Sequence, residues 1–82
     1  MEGLFYNGMA NRDANKIIET GVYWTNLYGA ENPQNFPLEF KMGYVIVIAY
    51  QDGNIAQEIR NSTGGPILKR FKTKSGEWTP WQ

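Results

Sequence analysis

The stretch Gly43-Tyr44-Val45-Ile46-Val47-Ile48-Ala49-Tyr50 constrains the fold more than any other part of this sequence. It is apolar throughout, rich in β-branched side chains and far too short to span a bilayer, so it reads as a strand buried on both faces and central to a sheet. Directly after it, Asp52-Gly53 supplies the positive backbone angles of a tight hairpin turn. A partner strand follows from Ile55 to Arg60. Ile55, Gln57 and Ile59 fall on one face and Ala56, Glu58 and Arg60 on the other, the alternation of a half-buried antiparallel strand.

The flanking segments extend this hairpin. Val22-Tyr23-Trp24-Thr25-Asn26-Leu27 is β-branched and aromatic and reads as the first strand. Between it and the central run, Tyr28 to Lys41 carries Gly29, Pro33 and Pro37, which deny a regular ladder, so a long loop is expected. Phe36, Leu38 and Phe40 alternate within it and are expected to pin the loop onto the core. After the turn cluster Asn61 to Pro66, a last strand runs from Ile67 to Lys74. Leu68, Arg70, Lys72 and Lys74 point one way, and Ile67, Lys69, Phe71 and Thr73 the other.

Near the start, Asn11 or Asp13 is placed to cap a short helix through Ile17 and Ile18, two turns at most, with Thr20-Gly21 stopping it. The expected fold is therefore mainly β (small α+β): an antiparallel β-meander with one short N-terminal helix and a long loop before the central strand. Residues 1–9 read as a lead-in segment and 10–82 as a single domain. With 82 residues and no cysteine, packing alone must stabilise it, so the core is expected to enlist Tyr23, Tyr44, Ile46, Ile48, Trp78 and Trp81.

The chemistry available is narrow. Neither Cys nor His is present, which removes thiolate nucleophiles, the commonest general base and the commonest metal ligand; no catalytic residue, metal site or cofactor is expected. Glycosidase-type chemistry would need Glu39, Asp52, Glu58 and Glu77 to meet in space, and a domain this small seldom provides both a cleft and a core. Asp52-Gly53-Asn54 lacks the spaced oxygen ligands of a calcium loop, and Gly64-Gly65-Pro66 lacks the Lys of a phosphate loop. Both read as turns.

Eight acidic and eight basic residues cancel, yet Arg60, Lys69, Arg70, Lys72 and Lys74 cluster late in the chain. Arg70, Lys72 and Lys74 with Phe71 as a platform are the candidate nucleic-acid strand. A single basic strand in a neutral whole is better read as a solvated face that discourages edge pairing, so no nucleic-acid partner is expected. No signal segment or transmembrane stretch is read, so membrane insertion is not expected either. Trp24 and Tyr28, beside the long loop, are expected to be partly exposed. With the polar groups of Asn26 and Asn35 they form the candidate ligand-binding set.

The order of several segments is familiar: Asp13-Ala14-Asn15, then Gly21-Val22-Tyr23-Trp24, then the hairpin from Gly43 to Gln57, then Lys72-Thr73-Lys74-Ser75-Gly76-Glu77-Trp78-Thr79-Pro80-Trp81. Over about residues 10 to 82 the chain resembles the pyocin-knob type of domain of phage tail fibres and related tail-like particles. The ending is the most specific part, since such domains commonly close on Trp-Ser-Pro-Trp and here the hydroxyl residue is Thr79. The position before the final turn that commonly holds Arg is read as Lys72, a departure that removes a bidentate role there. The resemblance implies a virion or prophage structural protein, a homotrimer near the receptor-binding end of a fibre, attaching to a bacterial surface through a glycan. The alternatives are a purely structural trimerisation or spacer module and, remotely, a small glycan-cleaving enzyme.

Overall fold

The computed structural model describes residues 12–30 and 32–82. The lead-in assigned to residues 1–9, and Asn11 as a cap, lie outside the described residues. The described residues form one antiparallel sheet of four strands in the order β1-β2-β3-β4: β1 (Gly21–Asn26), β2 (Met42–Ala49), β3 (Ile55–Asn61) and β4 (Leu68–Lys72). The expected meander is the observed one. The β2–β3 turn closes as its residue types require: Gly53 takes φ 95°, and Asp52 Oδ1 accepts from the Asn54 amide at 3.0 Å.

The expected helix is reduced to a single 3-10 turn, Ala14–Lys16, begun by Asp13, whose carboxylate accepts from the Asn15 amide at 3.0 Å. Two physical reasons stop it there. The Ile17 carbonyl, which a continuing helix would use, accepts from Gln57 Nε2 at 2.8 Å, and the same Nε2 donates at 2.7 Å to the Ala14 carbonyl beside its 3.3 Å bond from the Ile17 amide. The β-branched pair Ile17-Ile18 also adds little helix propensity.

Among the described residues the sheet is covered on one face only, so β2 is not buried on both sides as its composition implied. Val45, Val47 and Ile59 face Ile17, Leu27 and Phe40, all buried, with Tyr23, Phe36, Ile55, Leu68 and Trp81 packed around them. The 3-10 turn, the long loop and the C-terminal segment all lie over this face. On the opposite face, Tyr44 (42% exposed) and Ile48 (46%) are open to solvent and Ile46 is half-buried, which removes Tyr44 and Ile48 from the core assigned to them. Tyr23, Trp78 and Trp81 are half-buried.

The loop pins itself as expected through Phe40, with Phe36 stacked on it at 5.6 Å. Leu38 takes no part, at 89% exposed. At the open end of the β2–β3 pair, opposite Asn61, Gly43 is obligatory: a Cβ there would sit on the carbonyl oxygen of Arg60 across the strand pair. No helix among the described residues is long and apolar enough to cross a membrane.

Candidate functional site

Strand parity in β4 is as the sequence implies, but its consequence is reversed. The face bearing Leu68, Arg70 and Lys72 points inward, and Arg70 is buried. A guanidinium in this position needs oxygen acceptors and polarisable surroundings. Gln57, on the inward face of β3 and paired with Arg70 in register, accepts from Arg70 Nε at 2.7 Å. Asn15, on the 3-10 turn, accepts from Nη2 at 2.8 Å. Because the Gln57 amide also donates to two backbone carbonyls of the turn segment, one side chain fixes both the cation and the segment that covers it.

The aromatic part of the site comes from the C-terminal segment. Thr79 clamps that segment to β4: its amide donates to the Phe71 carbonyl at 2.8 Å and its hydroxyl accepts from the Phe71 amide at 2.9 Å. Gln82 exchanges backbone bonds with Lys69 at 2.9 and 3.0 Å, and Pro80, having no N–H, lies between the two anchors. This alignment lays Trp78 and Trp81 over the guanidinium, with Arg70 Cζ at 3.9 and 4.6 Å from the ring centroids. Trp81 Nε1 donates to the Asn35 carbonyl at 2.8 Å, and Asn35, in the left-handed region at φ 66°, donates through its amide to Asp13 Oδ1 at 2.7 Å.

Two titrations are displaced by this arrangement. Burial lowers Arg70 to about 10, a loss that the nearby Asp13 charge partly offsets. Asp13 is held below its ordinary carboxylate value, chiefly by the Asn35 hydrogen bond; burial opposes this as the next-largest effect, and the Asn15 amide with the Lys16 and Arg70 charges lowers it further.

Beside the stack lies an open groove of about 730 Å³. Phe36, Trp78 and Trp81 give it apolar ring surface; Asn15, Asn35, Lys72 and Glu77 give it polar edges. A second depression, of about 520 Å³, lies on the uncovered sheet face among Ile46, Ile48, Ala56, Glu58, Lys69 and Phe71.

The candidate ligand residues fall in two places. Trp24 stands on the uncovered sheet face, packed edge to face on Tyr44 at 5.2 Å. On the same β1 face, Asn26 spends its side-chain oxygen on the Tyr28 amide at 2.9 Å, and Tyr28 is 62% exposed beside a pocket of only about 50 Å³. Asn35 instead belongs to the groove.

The basic set separates too. Arg70 is buried, Lys72 lines the groove, and Lys74 is exposed near the hairpin turn, its amide donating to Asn54 Oδ1 at 3.1 Å. They form no common solvated basic face.

Of the acids, Glu58 pairs with Arg60 at 2.7 Å, Asp52 caps its turn, Glu77 lines the groove and Glu39 is exposed in the loop. Among the described residues no group of three or more potential metal-ligating side chains converges. Gln57 and Asn15 went unmarked in the sequence. Gln57 had a signal: a polar side chain between Ile55 and Ile59 on the inward face of a strand needs an internal partner.

Comparisons of the chain with protein-family models, with curated proteins and with solved structures found no match.

Proposed function

We propose that this domain is a tail-fibre-like knob module of a virion or prophage-encoded particle, and that it attaches the particle to a bacterial surface by holding a glycan in the groove beside Trp78 and Trp81. Two lines support the reading: the ordered resemblance running from Asp13 to Trp81, and a groove combining indole surface with side-chain amides and charges, the inventory that recognises sugar rings. The single observation that carries it is the Trp78–Arg70–Trp81 stack, which holds two half-buried indoles rigidly at the groove.

Glycan-array binding compared across variants tests it. Trp78→Ala, checked for folding by thermal denaturation, is expected to abolish binding, whereas Trp24→Ala and Tyr28→Ala leave it intact. Binding lost in the Trp24 or Tyr28 variant and retained in Trp78→Ala overturns the groove as the site.

A second reading, a structural module whose copies associate within a fibre as a homotrimer, is favoured by the uncovered sheet face. Antiparallel sheets that end in water carry polar side chains outward, yet here Tyr44, Ile46, Ile48 and Phe71 face outward together. Its charged residues carry both signs, with Glu58 opposite Lys69 in register, so the face suits a second copy of itself. Sedimentation velocity is expected to show self-association that Ile48→Glu removes; a monomer at high concentration overturns this reading.

A further inference from the structure

Arg70 is a cation taken largely out of water with no carboxylate in direct contact, the nearby Asp13 charge acting on it only at longer range. Its hydrogen-bond partners are the neutral oxygens of Gln57 and Asn15, and among the described residues no carboxylate lies within ion-pair distance of it. Removing a charge from water is compensated only in part by amide oxygens and ring faces, and the low pKa of the group expresses the shortfall.

The third guanidinium nitrogen, Nη1, donates to no group among the described residues. It is not fully sealed, since the one sealed, unpartnered side-chain atom among the described residues is Thr25 Oγ1. The Trp78 indole N–H likewise has no acceptor among the described residues and is not sealed.

Both donors belong to residues lining the same groove, where Lys72 adds a second cation. Lys72 Nζ is spent only on a long contact of 3.3 Å to the Thr73 carbonyl. Glu77 is the one acid among the lining residues, so the positive groups exceed the negative.

We infer that the groove selects an acidic saccharide: a pyranose whose carboxylate is bound by Arg70 Nη1 and Lys72 Nζ, with its ring against indole surface and an oxygen accepting from Trp78 Nε1. A carboxylate there supplies the direct ion pair that the more distant Asp13 does not make, and turns a half-satisfied cation into a charge-assisted pair. This rests on the glycan reading of the groove and adds its charge class.

The test separates the two claims. The full chain, labelled with nitrogen-15, is titrated with a glucuronate-containing oligosaccharide, with the same oligosaccharide after reduction of its carboxyl groups, and with acetate. The acidic oligosaccharide is expected to bind at least about tenfold more tightly than the reduced one, shifting the Trp78 indole and Arg70 guanidinium resonances and weakening as salt is raised. Lys72→Gln, at a site half-open to solvent, is expected to stay folded and to lose most of that preference.

Equal binding of the acidic and reduced forms in the groove overturns the charge selectivity and leaves the glycan reading standing. Acetate binding as tightly as the acidic oligosaccharide overturns saccharide selection. No shift of Trp78 or Trp81 with either oligosaccharide overturns both.

Discussion

Gln57 and Arg70 are cross-strand neighbours, and their 2.7 Å bond from Nε to Oε1 is the link that lets a cation sit inside a sheet face otherwise lined with Val45, Val47 and Ile59. Gln57 acts in both directions, accepting from Arg70 and donating to the Ala14 and Ile17 carbonyls.

Replacing Gln57 by Leu therefore leaves the Ile17 carbonyl and one guanidinium nitrogen without partners, and the Ala14 carbonyl with only its 3.3 Å bond from the Ile17 amide. The expected loss of stability is about 3 kcal/mol or more, above the cost of an ordinary side-chain hydrogen bond. Urea unfolding would show a large fall in midpoint at an unchanged slope. A change within about 0.5 kcal/mol would mean the network does not hold the turn to the sheet.

Acid should weaken the fold through Asp13. Its folded-state pKa lies below the ordinary 3.8, so the native state binds the proton less readily than the unfolded chain. The contribution is fully present above that ordinary value and is lost as pH falls from it through the lower folded value. Asp13→Asn is expected to flatten the pH dependence of thermal unfolding in this window relative to the parent. Parallel curves would show that Asp13 is not the responsible group.

Thr79 ties the C-terminal segment to β4 by its hydroxyl as well as its amide. Thr79→Ser keeps the acceptor and should leave stability nearly unchanged. Thr79→Val keeps the shape, strands the Phe71 amide and should cost about 1 kcal/mol. The same loss should appear as faster hydrogen exchange at Phe71 and as loosening of Trp78 fluorescence. Equal behaviour of the two variants would assign the clamp to the backbone bond alone.

How far the sequence could be read depended on the range of the forces involved. Strand identity, the hairpin at Asp52-Gly53 and the parity of side chains along β3 and β4 follow from neighbours a few residues apart. All were legible: Ile55, Gln57 and Ile59 share a face, as do Leu68, Arg70 and Lys72. The helix was not, because its termination depends on Gln57, which is 43 residues from Ala14.

Period-two alternation divides a strand into two faces without saying which is covered. For β2 both faces are apolar, and the sequence therefore left Tyr44 and Ile48 indistinguishable from Val45 and Val47. The tertiary structure decided it by bringing the 3-10 turn, the loop around Phe40 and the C-terminal indoles over the same side. That choice also turned Arg70 from an expected surface charge into a buried one. Its compensation by Asn15, 55 residues away, and by Trp78 and Trp81 exists only once the chain has closed on itself.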